Sequence, residues 1–124
     1  MPRILVVDDE ELLLGLLKNY LTRLGHDVAS FPNGHQALEA IETQAPFTLA
    51  VLDHWLPDID GHELLERVLK SSDDIRVLVA SGSLLDRQSL AAVDSSRVAF
   101  LQKPYLPKSL AAAVEELLNR PPSS

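Results

Sequence analysis

Cysteine is absent from the 124 residues, which excludes disulfides and thiol chemistry and suits a reducing compartment. The expected location is therefore cytoplasmic. Basic side chains are scarce: 11 Lys and Arg stand against 18 Asp and Glu, for a formal charge of -7. Sequence-independent binding to a polyanion rests on neutralising phosphates with basic side chains, so this domain is not expected to bind nucleic acid directly. Long apolar runs are lacking as well. The longest, Leu12 to Leu17, falls far short of the roughly 18 residues that suggest a membrane span, and MPRILVVDDEE meets four acids too early for a signal peptide. No membrane association is expected, and no internal repeat is visible.

What is there is enough apolar material for one core: 46% of the residues are hydrophobic. The reading is a single domain over residues 1–120, with 121–124 (Pro-Pro-Ser-Ser) a tail or the start of a linker. Short apolar runs alternate with longer amphipathic ones. Ile4 to Val7 reads as a strand buried on both faces. Leu13, Leu16, Leu17, Tyr20, Leu21 and Leu24 recur at helical spacing, and Gly25 suits a left-handed cap. Further strands are expected at Asp27–Phe31, Phe47–Leu52, Arg76–Ala80 and Val98–Leu101. Further helices are expected from Asn33-Gly34 through Ile41, and at Gly61–Lys70, Leu84–Val93 and Pro107–Asn119. Five strand-then-helix repeats argue for a doubly wound α/β fold: a five-stranded parallel sheet with five helices on its two faces. In such sheets ligands gather beyond the carboxyl ends of the strands.

The residues at those ends are chemically pointed. Asp8 and Asp9 follow the first strand, Asp53 the third, Ser81 the fourth, and Gln102 and Lys103 the fifth. Two carboxylates about 4 Å apart repel by on the order of 4 kcal/mol at a protein-like dielectric, so three in one crevice call for a cation or for protonation. Oxygen ligands without cysteine favour Mg²⁺, with Mn²⁺ able to substitute. Taken alone, the run DDEE reads equally well as a helix start, with Asp8 as cap and Glu11 reaching back in a capping box; Glu10 and Glu11 are assigned to that structural role. Within VLDHWLPDIDG, Asp53 directly follows a buried strand and is held rigidly. Asp58 and Asp60 are expected to be solvated loop residues, with Asp60 a candidate cap for the next helix. An EF-hand reading fails, because it would put Leu56 and Arg67 where acids are required. His26, His35, His54 and His62 show no metal-ligand spacing, and His54 is expected at the surface.

Four segments, VVDDE, VLDHWLPDIDG, VLVASG and FLQKPY, occur in order and at intervals that resemble the receiver domain of two-component response regulators, of the CheY-like superfamily. The resemblance implies a flavodoxin-like sheet of order 2-1-3-4-5. It implies that Asp53 takes a phosphoryl group from a histidine kinase or histidine phosphotransfer protein, as an acceptor and not a turnover enzyme. Asp8, Asp9, Asp53 and the backbone carbonyl of Trp55 would hold Mg²⁺, with Asp8 acting mainly through a water. Lys103 and Ser81 would contact the phosphoryl oxygens, and the Lys103-Pro104 bond would be cis. Ser81 and Phe100 would act as switch residues that repack the face made by the helix at Leu84–Val93, the last strand and the last helix. That face would meet a downstream protein or output domain, or a second copy in a homodimer.

Two residues depart from the family's commoner pattern. Trp55 is bulky and is expected to overhang the pocket and slow water attack; Gly82 follows Ser81 and should open the pocket mouth. Three alternatives stand beside this reading. A receiver-like interaction module without phosphorylation would not need Asp8, Asp9, Asp53, Ser81 and Lys103 all intact. A haloacid-dehalogenase-like phosphatase needs a second acid where Trp55 stands. Flavodoxin-like cofactor binding needs a Ser/Thr/Gly loop in place of DDEE.

Overall fold

The computed structural model describes residues 3–44, 46–54, 56–82 and 97–119. The elements run β1 (Arg3–Val7), α1 (Glu11–Arg23), β2 (Asp27–Phe31), α2 (Gly34–Gln44), β3 (Leu49–Asp53), α3 (Gly61–Ser71), β4 (Arg76–Ser81), β5 (Val98–Gln102) and α4 (Pro107–Leu118). The helix expected at Leu84–Val93, the residue Trp55 and the tail lie outside the described residues.

All four strand pairings are parallel, and the sheet order is β2-β1-β3-β4-β5, as expected. Side chains alternate across a strand, so a sheet covered on both faces needs apolar residues at both parities. Leu5, Val7, Ala50, Leu52, Val77 and Val79 point to one face and pack with Leu38, Leu64, Leu65 and Val68 from α2 and α3. Ile4, Val6, Leu49, Val51 and Leu78 point to the other and pack with Leu14, Leu17 and Leu21 of α1 and Leu110, Val114 and Leu117 of α4. Fully burying each such Leu or Val contributes roughly 1.5–3 kcal/mol, so the two layers fix the sheet between them.

Helix α1 corrects one expectation. Its buried face is Leu14, Leu17 and Leu21, whereas Leu16 and Leu24 are 58% and 50% exposed. A run as leucine-rich as Leu12 to Leu17 offers several faces at helical spacing, and the position of the sheet selects one. Gly25 closes the helix with φ 97°, a conformation that suits a residue without Cβ, and its N–H donates to the Thr22 carbonyl at 3.0 Å.

Candidate functional site

The sheet ladder runs one residue past several strands, and this extension positions the site. Asp8 N–H donates to the Phe31 carbonyl (3.2 Å), His54 N–H to Ala80 (3.0 Å), and Lys103 N–H to Ser81 (2.8 Å). The backbones that carry Asp8, Asp53 and Lys103 are thereby tied to their neighbouring strands at one end of the sheet. Asp8 is 2% exposed and Asp53 4%, while Asp9 faces solvent. An oxygen from each of these three acids lies within 4.8 Å of the others, and no other group of acids or histidines among the described residues could hold a metal ion.

The Lys103 ammonium reaches into this cluster, 3.2 Å from Asp53 Oδ1 and 3.3 Å from Asp8 Oδ2. Burial alone would lower the lysine pKa; the Asp53 and Asp8 carboxylates outweigh it and raise the pKa above its ordinary value. The Lys103-Pro104 peptide is cis, as the resemblance implied. Among the described residues, one ammonium stands among three carboxylates, which leaves the cluster negative, and its donor set is all oxygen. That combination fits a hard divalent cation such as Mg²⁺.

Ser81 is buried at the end of β4, one residue beyond the partner of Asp53 in the ladder. Phe100 pairs with Val79 and is half-buried against the same core layer as Val79, so Ser81 and Phe100 share one face of the sheet. The structure thus brings together Asp8, Asp9, Asp53 and Lys103 at one end of the sheet, with Ser81 on the adjoining strand. Trp55, whose carbonyl was expected to complete the cation site, lies outside the described residues.

The structure overturns one alternative and corrects two expectations. Asp8 does not cap α1: the cap position is Glu10, without a side-chain cap bond, and Asp8 Oδ1 instead accepts the Glu10 N–H at 2.9 Å. Its second oxygen is then available to Lys103. Asp58 is not a solvated loop residue. Its carboxylate accepts the Gly34 N–H (3.0 Å) and the His35 N–H (2.9 Å), and His35 Nδ1 lies 2.7 Å away, so it clamps the start of α2. Burial works to raise its pKa, but the bonds from His35 and Gly34 prevail and hold it below the usual carboxylate range. His54, expected at the surface, is half-buried against Gly61, where an added Cβ would come 2.3 Å from the His54 carbonyl oxygen. Asp60 behaves as expected and caps α3 by accepting the His62 N–H at 2.8 Å.

Sequence reasoning gave Tyr105 no role. Its ring packs on the α1 and α4 layer, and its hydroxyl oxygen is buried with no hydrogen-bond partner among the described residues. Spacing carried no signal for it beyond adjacency to Lys103-Pro104.

Comparison with known proteins agrees with this arrangement. The family model described as response regulator receiver domain matches residues 4–115. Curated relatives include the regulatory protein VanRc of Enterococcus gallinarum, 38% identical over 95% of this chain and 50% of its own length. Another is the alkaline phosphatase synthesis transcriptional regulatory protein PhoP of Bacillus subtilis, 32% identical over 95% of this chain and 49% of its own. The chain spans about half the length of these relatives. Among solved structures, a CheY-like receiver domain protein from Methanospirillum hungatei superposes with a TM-score of 0.85 at 32% identity, covering 96% of this chain and 94% of that one. The response regulator TrrA of Thermotoga maritima, in complex with Mg(2+)-BeF, gives 0.80 at 29% identity, covering 94% and 99%.

Proposed function

The chain belongs to the response regulator receiver domain family, and we propose that within it Asp53 is the acceptor of a phosphoryl group from the phosphohistidine of a kinase or phosphotransfer protein. Receiver domains are signalling phosphoacceptors and not, in general, turnover enzymes. The single observation that carries the reading is the buried Asp53 carboxylate, 3.2 Å from the Lys103 ammonium and gathered with Asp8 and Asp9. A carboxylate so placed is rigid and shielded from bulk water, with a cation beside it that would pair with incoming phosphoryl oxygens.

The step forms a bond from an Asp53 oxygen to phosphorus and breaks the phosphorus–nitrogen bond of the donor, leaving the electron pair on the imidazole. Asp8, Asp9 and Asp53 would hold Mg²⁺, for which Mn²⁺ could substitute. When bound, the ion would supply the positive charge that lets a dianionic group approach three acids. The solved relative in complex with Mg(2+)-BeF supports that assignment. Lys103 has a third proton beyond those directed at Asp8 and Asp53, and Ser81 has a hydroxyl; both serve as donors to the phosphoryl oxygens.

The new charge biases Ser81 and Phe100, and through them the face containing β5 and α4. That face signals to a downstream protein or fused output domain, or to a second copy of the chain. The same reading places the domain in the cytoplasm, with no direct part in nucleic-acid binding; no helix among the described residues is long and apolar enough to cross a membrane. Incubation with acetyl phosphate and Mg²⁺ tests the core of the proposal by intact mass. The expected result is a gain of one phosphoryl group; multiple turnover without a stable adduct would instead favour a phosphatase, and no reaction an interaction module.

A further inference from the structure

Asn33 and Gly34 stand at the start of α2, and asparagine followed by glycine is the dipeptide most prone to spontaneous deamidation. With no Cβ to hinder it, the glycine amide nitrogen can attack the asparagine side-chain carbonyl carbon and expel ammonia. Both residues have structural tasks here. The Asn33 carboxamide oxygen accepts the Gln36 N–H at 2.9 Å, as a helix-capping side chain does. A Cβ built on Gly34 would lie 2.1 Å from Ile59 Cγ2, so the close approach of the loop after β3 to α2 demands glycine. The packing therefore keeps a reactive pair at this corner.

The same loop supplies what opposes the reaction. Asp58 Oδ1 accepts the Gly34 N–H at 3.0 Å, and this is the proton that must leave before the nitrogen can attack. The other oxygen accepts the His35 N–H at 2.9 Å and lies 2.7 Å from His35 Nδ1, so the carboxylate is fixed from two sides. Burial works against its ionisation, but the bonds from His35 and Gly34 prevail and keep it anionic at neutral pH. An amide nitrogen becomes negative as it loses its proton, and a carboxylate beside it repels that charge. Gly34 itself is buried, with Ile59 packed over it.

We propose that Asn33 is a latent deamidation site and that Asp58 guards it by holding the Gly34 amide proton. In the step, the Gly34 nitrogen forms a bond to Asn33 Cγ and its proton passes to solvent, while the Asn33 side-chain nitrogen takes up a proton and leaves as ammonia. Water then opens the cyclic imide at either carbonyl to give aspartate or isoaspartate. One water is consumed and one ammonia released, with no oxidant or reductant. The product places a new negative charge at the helix start that Asp58 clamps, and isoaspartate adds a carbon to the backbone there. Both changes oppose the contact between α2 and the loop, so the modification removes the clamp for good. The inference concerns the helix start and not the acid cluster, and it stands whether or not Asp53 accepts a phosphoryl group.

The test incubates the whole folded chain in mildly alkaline buffer and follows Asn33 by peptide mass mapping and by isoaspartyl methyltransferase labelling. Asp58→Ala should deamidate at Asn33 about tenfold faster than the unsubstituted chain, the worth of one hydrogen bond to a charged group. Asp58→Asn, which keeps an oxygen at that place without the charge, should fall between the two and carries the test if Asp58→Ala folds poorly. Val114→Ala opens a small cavity in the layer on the opposite face of the sheet. It should change the Asn33 rate less than about twofold, which separates loss of the guard from a general loosening of the fold. Equal rates in the unsubstituted chain and both Asp58 variants would overturn the proposal, as would an acceleration in Val114→Ala that matches Asp58→Ala. So would conversion of the folded unsubstituted chain as fast as of the same chain unfolded in urea.

Discussion

Asp53 and Asp58 stand on one short run of chain and share a side chain, but their surroundings are opposite. Asp58 is met by two backbone N–H groups at the start of α2 and by His35. Its charge is answered by donors, and it joins the loop after β3 to a helix terminus, where the helix dipole favours an anion. Asp53 is buried among carboxylates with one ammonium between them. On the proposed reading, Asp58 serves the fold through its donors, whereas Asp53 lies among like charges whose repulsion an arriving cation would relieve.

The difference is tested most severely by removing each acid in turn. Asp53→Asn should abolish the mass gain from acetyl phosphate completely. Because it also relieves repulsion within the cluster, its urea midpoint without Mg²⁺ should be no lower than that of the unsubstituted chain. A phosphorylated Asp53→Asn protein, or one markedly less stable, would break the comparison. Next in size is the response to the ion. At a Mg²⁺ concentration 100 times its dissociation constant the chain should gain about 2.7 kcal/mol in urea unfolding, most of it lost in Asp9→Asn and all of it kept in Asp58→Asn. Smaller again is Asp58→Ala, which removes a helix-start acceptor. It should cost about 1–2 kcal/mol of stability and leave the rate of phosphorylation by acetyl phosphate unchanged.

The comparison also explains what could be read from the residues. The doubly covered sheet was legible because both parities of Ile4 to Val7 and of the third strand are apolar, which requires cover on both faces, whereas its strand order came from the resemblance to receiver domains. Asp8, Asp9, Asp53 and Lys103 were legible because strand ends in a parallel sheet converge whatever the loops do. The role of Asp58 was hidden, since its partners Gly34 and His35 belong to a different crossover, and nothing in local spacing reports a contact between two loops. The leucines of α1 misled for a related reason: Leu16 fits a helical period as well as Leu14 and Leu17, and only the sheet decides which of them are covered. Tyr105 was hidden because an unpartnered hydroxyl is a property of packing in three dimensions.

The smallest expected effect is also the one that separates the two regions by pH alone. Asp58 has a folded pKa below its unfolded value near 3.8, so its contribution is fully present above that value and is lost as pH falls through the folded pKa. Lys103 has a folded pKa above its unfolded value near 10.5, so its contribution is fully present below that value and is lost as pH rises through the folded pKa. The acid limb of the stability curve should therefore carry the loop clamp and the alkaline limb the crevice. Urea unfolding across both limbs should show the stability gap between the unsubstituted chain and Asp58→Asn closing in acid and persisting in alkali, and the gap to Lys103→Met closing in alkali. If the Asp58→Asn gap were as wide below the folded pKa of Asp58 as at neutral pH, the charge on that carboxylate would have no part in holding the start of α2, and the contrast with Asp53 would rest on shape alone.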